Sequence, residues 1–66
     1  MDMEYLKYKI RKTGMNLKEF AKSIGISKSA IYLKMKGKRQ WKYEDMKKIK
    51  SALNLTPEEF NKIFGF

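Results

Sequence analysis

Sixty-six residues are room for one domain, and a chain of that size buries only about 60% of the surface it exposes when unfolded, so its core must be economical. There is no cysteine and no histidine, which excludes disulfide staples, Cys/His zinc sites and His-dependent nucleophilic catalysis. Sixteen Lys/Arg against seven Asp/Glu give a net charge of +9 at pH 7, a balance that favours a polyanionic partner.

The charge is unevenly placed. Across residues 20–43 stand Lys22, Lys28, Lys34, Lys36, Lys38, Arg39 and Lys42 with no acid among them, and acids return only at Glu44 and Asp45. No apolar stretch approaches the ~20 residues of a membrane span, and no secretion signal is visible. These features lead us to expect a cytoplasmic protein forming one domain over 1–66, with no cofactor, no metal and no evident small-molecule ligand.

The predicted elements follow from their punctuation. Met3, Leu6 and Ile10 recur at helical period, and Gly14 ends that first segment. In the second, Asn16 and Glu19 form a capping-box pattern, Met15 and Phe20 a hydrophobic staple, and Leu17, Phe20, Ala21 and Ile24 an apolar face that stops at Gly25. Ser27 is the natural N-cap of a third helix running to about Lys36, flanked by the staple pair Ile26 and Ile31 and closed by Gly37. Lys38 to Lys42 is a basic turn around Trp41, whose ring could stack on a base but in so small a domain is expected to anchor the core. The fourth helix opens with Glu44 and Asp45 at its positive end and shows an inner stripe of Met46, Ile49, Ala52 and Leu53. Leu55-Thr56-Pro57-Glu58-Glu59-Phe60 combines cap, N1 proline, capping box and staple ahead of a fifth helix bearing Phe60, Ile63 and Phe64. No segment alternates with period two, so the expected class is all-α with five short helices.

Two short helices separated by Gly25-Ile26-Ser27, with Ala21, Gly25 and Ile31 in one spacing, resemble the helix-turn-helix of the phage Cro/lambda-type (XRE-like) repressors. The stretch Ser27-Lys28-Ser29-Ala30-Ile31-Tyr32, the following Gly37-Lys38 and the trailing Ala52-Leu53-Asn54-Leu55-Thr56 extend the resemblance over nearly the whole chain. It implies a compact five-helix, lambda-repressor-like DNA-binding domain, and a small Cro-like regulator of palindromic operators. Repression rather than activation is expected, because so short a chain leaves no room for a separate activating domain.

Carried onto this sequence, the base-reading positions are Lys28, Ser29, Tyr32 and Leu33. For Tyr32 the competing role is packing at the core edge. Phosphate contacts fall on Asn16, Leu17 and Lys18 at the start of the second helix and on Ser27, Lys36, Lys38, Arg39 and Lys42 around the third. The group Lys7, Lys9, Arg11 and Lys12 could serve equally as a solvated face. One helix reads too few bases to specify a site, so a homodimer, at least on DNA, is expected. Phe60, Ile63, Phe64 and Phe66 at the C-terminal end form the candidate interface, with core packing the competing role of Phe60 and Ile63.

One residue departs from the pattern. The family usually places an apolar side chain where this chain has Lys34. Met35, four residues after Ile31, can assume the packing role, which leaves open whether Leu33 faces DNA or core. Other partners for so basic a chain are RNA, a membrane surface, or a protein bound in the manner of an antitoxin.

Overall fold

The computed structural model describes residues 1–65 and contains five helices: α1 (Met3–Lys12), α2 (Leu17–Ser23), α3 (Lys28–Met35), α4 (Tyr43–Leu53) and α5 (Pro57–Phe64). No strand occurs among the described residues. The Cα radius of gyration is 10.6 Å, against about 11 Å for a compact domain of this length.

Most helices start where a side chain can satisfy the first unpaired N–H groups. Asn16 and Thr56 each accept from the backbone N–H three residues on while Glu19 and Glu59 accept in return, completing both capping boxes. Ser27 Oγ accepts from Ala30 N at 3.1 Å, and Asp2 does the same for α1 from Tyr5 N at 3.0 Å. Asp2 also donates its own N–H to the Ile63 carbonyl at 3.0 Å, joining the start of the chain to α5. The fourth helix begins without a side-chain cap and ends on Asn54 in the left-handed conformation, with Leu55 N donating to Lys50 O.

The core is one cluster built from every helix: Leu6 and Ile10, Phe20 and Ala21, Ile31, Met46, Ile49 and Leu53, then Ile63 and Phe64, with Ile26 and Leu55 entering from turns. Trp41 packs against it, its ring meeting Phe64 edge-on at 5.3 Å, as expected of a core anchor.

Two expectations need correction. Ala52 stays exposed instead of joining the inner stripe of α4. Asp45 stands in the first turn of α4 as expected and is in addition buried there beside Met46 and Ile49. Ile63 is fully buried and Phe64 only 3% exposed, so neither presents itself to a second copy. The cause is tertiary: α5 lies against α1, and Phe64 is sandwiched between Trp41 and Phe60 with ring centroids 5.3 and 5.2 Å away. Phe60 is half-buried with Lys50 Nζ 5.5 Å from its ring, and Phe66 lies outside the described residues.

Candidate nucleic-acid interface

The helix pair α2–α3 turns through Ile24-Gly25-Ile26-Ser27. Gly25 takes φ +75°, a left-handed conformation, and Ile26 N donates back to Ala21 O at 2.9 Å. Ala21 is fully buried at the crossing, where any longer side chain would push the helices apart. Ile31, also fully buried, is the single core residue of α3.

That one anchor decides which side of α3 looks outward. At about 100° per residue, Leu33 stands about 200° round the helix from Ile31, on the far side from the core, while Met35 returns to the Ile31 side. The packing agrees: Met35 rests on the core, and Leu33 is half-exposed and outside the set of residues packed there. Lys28 and Ser29 are exposed in the first turn. Tyr32 is 48% exposed, with Lys36 Nζ 5.3 Å from its ring. Ser29, Tyr32 and Leu33 therefore share the outward side of α3, while Lys28, about 60° from Ile31, is exposed at the start of the helix beside it. Ser29 Oγ lies 3.4 Å from the capping Ser27 Oγ, a loose contact that leaves it able to turn outward.

The residues read as phosphate contacts surround this face unequally. Lys36, Lys38, Arg39 and Lys42 are all exposed at its C-terminal end, where Gly37 at φ +78° turns the chain. Lys18 is exposed on α2, beside half-buried Leu17. Asn16 is committed to the capping box that its spacing from Glu19 suggested. Its side-chain oxygen accepts from Glu19 N and its backbone N–H donates to Glu19 Oε1. The side-chain amide is what it has left to offer. Ser27 keeps only its hydroxyl hydrogen for the same reason.

A groove of about 370 Å³ opens between α1, the start of α2 and α3. Ile10, Leu17 and Met35 line it with apolar surface, while Lys7, Arg11 and Lys36 supply the charge, all positive. Sequence reading left Lys7 and Arg11 undecided; folding places both beside Asn16 and Tyr32. Their four-residue spacing puts them on one face of α1 and was the available signal. Lys7 shares its charge with Glu4 at 3.3 Å. Lys9 and Lys12 turn elsewhere, Lys9 to Glu59 at 2.9 Å and Lys12 to the ring of Tyr8 at 5.4 Å.

Lys34 is the basic residue that leaves this surface. Its side chain is 10% exposed and pairs with Asp45 of α4, itself 11% exposed. The acid-free stretch thus holds one cation that turns inward and is neutralised by the second acid to follow it.

A second polar network lies between α1 and α5. Glu59 Oε2 accepts from Tyr5 OH at 2.7 Å and from Lys9 Nζ at 2.9 Å, while Oε1 accepts from Thr56 N. The Tyr5 hydrogen bond first, then the Thr56 N–H and Lys9, pull the Glu59 carboxyl down to about 2. The bond to Glu59 pushes both Tyr5 and Lys9 above their ordinary values. This network is structural and shares no residue with the exposed face of α3.

A family model described as Cro/C1-type HTH DNA-binding domain matches residues 5–64, spanning all the helices except the first residues of α1. No curated protein and no solved structure gives a match. With its helix pair, tight glycine turn and outward-facing third helix inside that match, the chain belongs to the Cro/C1-type helix-turn-helix DNA-binding domain family.

Proposed function

We propose that this protein is a sequence-specific transcriptional regulator, a Cro-like repressor that binds a palindromic operator as a dimer and acts as one domain over residues 1–66. The observation that carries the reading is the exposed side of α3: Ser29, Tyr32 and Leu33 project from it, Lys28 flanks it, and acid-free chain borders it. An α-helix fits the major groove, and these side chains suit it. Lys28 donates to guanine O6 and N7, Ser29 pairs with several bases, and Leu33 covers a thymine methyl.

Lys18, Lys36, Lys38, Arg39 and Lys42 hold the phosphates on either side, together with the Leu17 and Lys18 N–H groups and the remaining donors of Asn16 and Ser27. At seven residues α2 offers only a weak dipole, so Lys7 and Arg11 across the groove add to its pull on a phosphate. Dimerisation is inferred from the length of α3, whose eight residues span too few base pairs to define a site alone. Of the C-terminal face proposed for pairing, Phe60 is the half-buried residue that can still contribute.

Selection of bound sites from random duplex DNA, followed by salt titration of the winner, tests the proposal. The expected result is an inverted repeat with half-sites about 34–36 Å apart, bound on the order of 10³-fold or more above random duplex. A steep salt slope with no enriched sequence would leave only a basic polyanion binder.

A further inference from the structure

The Lys34–Asp45 pair ties α3 to α4 at a place where α3 contributes few buried side chains. In α4, Met46, Ile49 and Leu53 form a continuous buried stripe that fixes how the helix is rolled. In α3, Ile31 alone is fully buried, with Ala30 and Met35 only partly covered beside it. With one fully buried side chain, α3 has less apolar anchoring against a roll about its own axis than α4 has. Lys34 stands about 60° from Ile31, on the core side, where a lysine left to itself would draw the helix round toward water. Asp45, buried on α4 at 8% exposure, holds it in place.

We propose that the Lys34–Asp45 ion pair sets the rotational register of α3, and so determines which side chains reach the bases. The inference rests on the DNA-reading role assigned to α3 above. Lys34 and Asp45 are positioning residues and touch no base. Rolling α3 to bring Lys34 out would carry Tyr32 toward the core and swing Ser29 and Leu33 away from the centre of the outward face. The energetics favour a role in register over one in stability. A buried pair loses much of its Coulomb gain to desolvation, and well-packed apolar replacements of similar volume are often neutral or stabilising. What such a pair retains is a demand for one geometry, since each charge is costly to bury without its partner.

The test compares the wild type with the charge-neutral double variant Lys34→Ala/Asp45→Ala, which removes the pair without supplying an apolar anchor in its place, and with Lys34→Arg, which keeps the pair. Two readouts are taken: NOE contacts from the Leu33 and Met35 methyl groups to Ile31 and Ile49 in the free protein, and affinity for the selected operator relative to random duplex. The double variant is expected to fold, to bind random duplex within about twofold of wild type because net charge is unchanged, and to lose about tenfold or more in the operator-to-random ratio, the scale of one good base contact. Its methyl contacts should average over more than one roll of α3, while Lys34→Arg keeps both the wild-type contacts and the ratio. If the double variant fails to fold, Asp45→Asn carries the same two readouts. A variant without the pair that retains the wild-type contacts and ratio overturns the proposal. If the wild type itself selects no sequence, the DNA-reading role falls, yet the methyl contacts still decide whether the pair sets the roll of α3.

Discussion

The α1–α5 and α3–α4 contacts are each tied by a lysine–carboxylate pair, but the two pairs sit in different surroundings. At α1–α5, Lys9 and Glu59 keep 21% and 22% of their side-chain surface, and Glu59 also accepts from Tyr5 and from the Thr56 backbone. Around it the apolar contact is generous, with Leu6, Ile10, Ile63 and Phe64 all buried. At α3–α4, Lys34 and Asp45 keep 10% and 11%, and α3 brings a single fully buried residue. The first pair embellishes a helix contact that apolar burial already defines. The second stands where apolar burial is too thin to define one, on the helix that carries the outward-facing side chains. Sparse anchoring suits a helix whose remaining surface must stay open to a partner.

The comparison can be broken most severely from the shared core. Phe20 is fully buried on α2, and Phe20→Ala should cost about 3–5 kcal/mol, against a total stability on the order of 3–10 kcal/mol for a chain this short. Urea denaturation followed by circular dichroism should show a largely unfolded variant at 37 °C. Retention of the wild-type midpoint would mean that both helix contacts survive without their common centre.

On the α3 side alone, Lys28→Ala should leave the fold intact and remove about 1–3 kcal/mol of discrimination at one base pair of the half-site. Repeating the site selection with the variant reads this directly; a uniform loss across all sequences would place Lys28 on phosphate instead. In the turn that sets α3 against α2, Gly25→Ala would add a Cβ that meets nothing within 4 Å. The cost is then only that of a left-handed backbone, about 1–2 kcal/mol, with operator preference unchanged in the folded fraction.

The smallest effect belongs to α1–α5 and is one of pH. With its carboxyl lowered from 4.5 to about 2 in the folded protein, Glu59 stabilises the fold fully above the ordinary carboxylate range and loses that contribution as pH falls toward about 2. Lys9 and Tyr5 are raised, so their contribution is complete at neutral pH and is lost as pH rises past their ordinary values of 10.5 and 10.0. Thermal melts of Glu59→Gln between pH 2 and pH 7 should therefore show a flatter acid limb than wild type. DNA affinity at neutral pH should not change, because this network shares no residue with the exposed face of α3. A drop in affinity there would show that the two regions are coupled.

Helix count and boundaries were legible in the chain because caps and glycine turns act locally. Asn16–Glu19, Ser27 and Thr56–Glu59 each need only residues three positions apart, and Gly25 and Gly37 need only the freedom to take positive φ. The exposed side of α3 was equally legible except at Tyr32 and Leu33, since periodicity gives relative angles between residues and needs an anchor to give absolute ones. Ile31 supplied the anchor. Where reading failed, the cause lay in neighbours distant in sequence. Phe64 looked like spare aromatic surface until α5 was folded against α1 and Trp41 met its ring. Asp45 is the helix-start charge it looked like, but its burial was not legible because its partner lies eleven positions earlier on another helix. Their four-residue spacing sets Lys7 and Arg11 on one face of α1, but only packing directed that face to the groove beside α3 and Lys9 to α5. The sequence by itself therefore determined five short helices, an acid-free basic segment and a helix-turn-helix, all of which are patterns along a continuous stretch of chain. Only the tertiary structure decided which of the aromatic and charged side chains would be used up inside, because burial and ion pairing depend on which helices meet, and no local pattern records that.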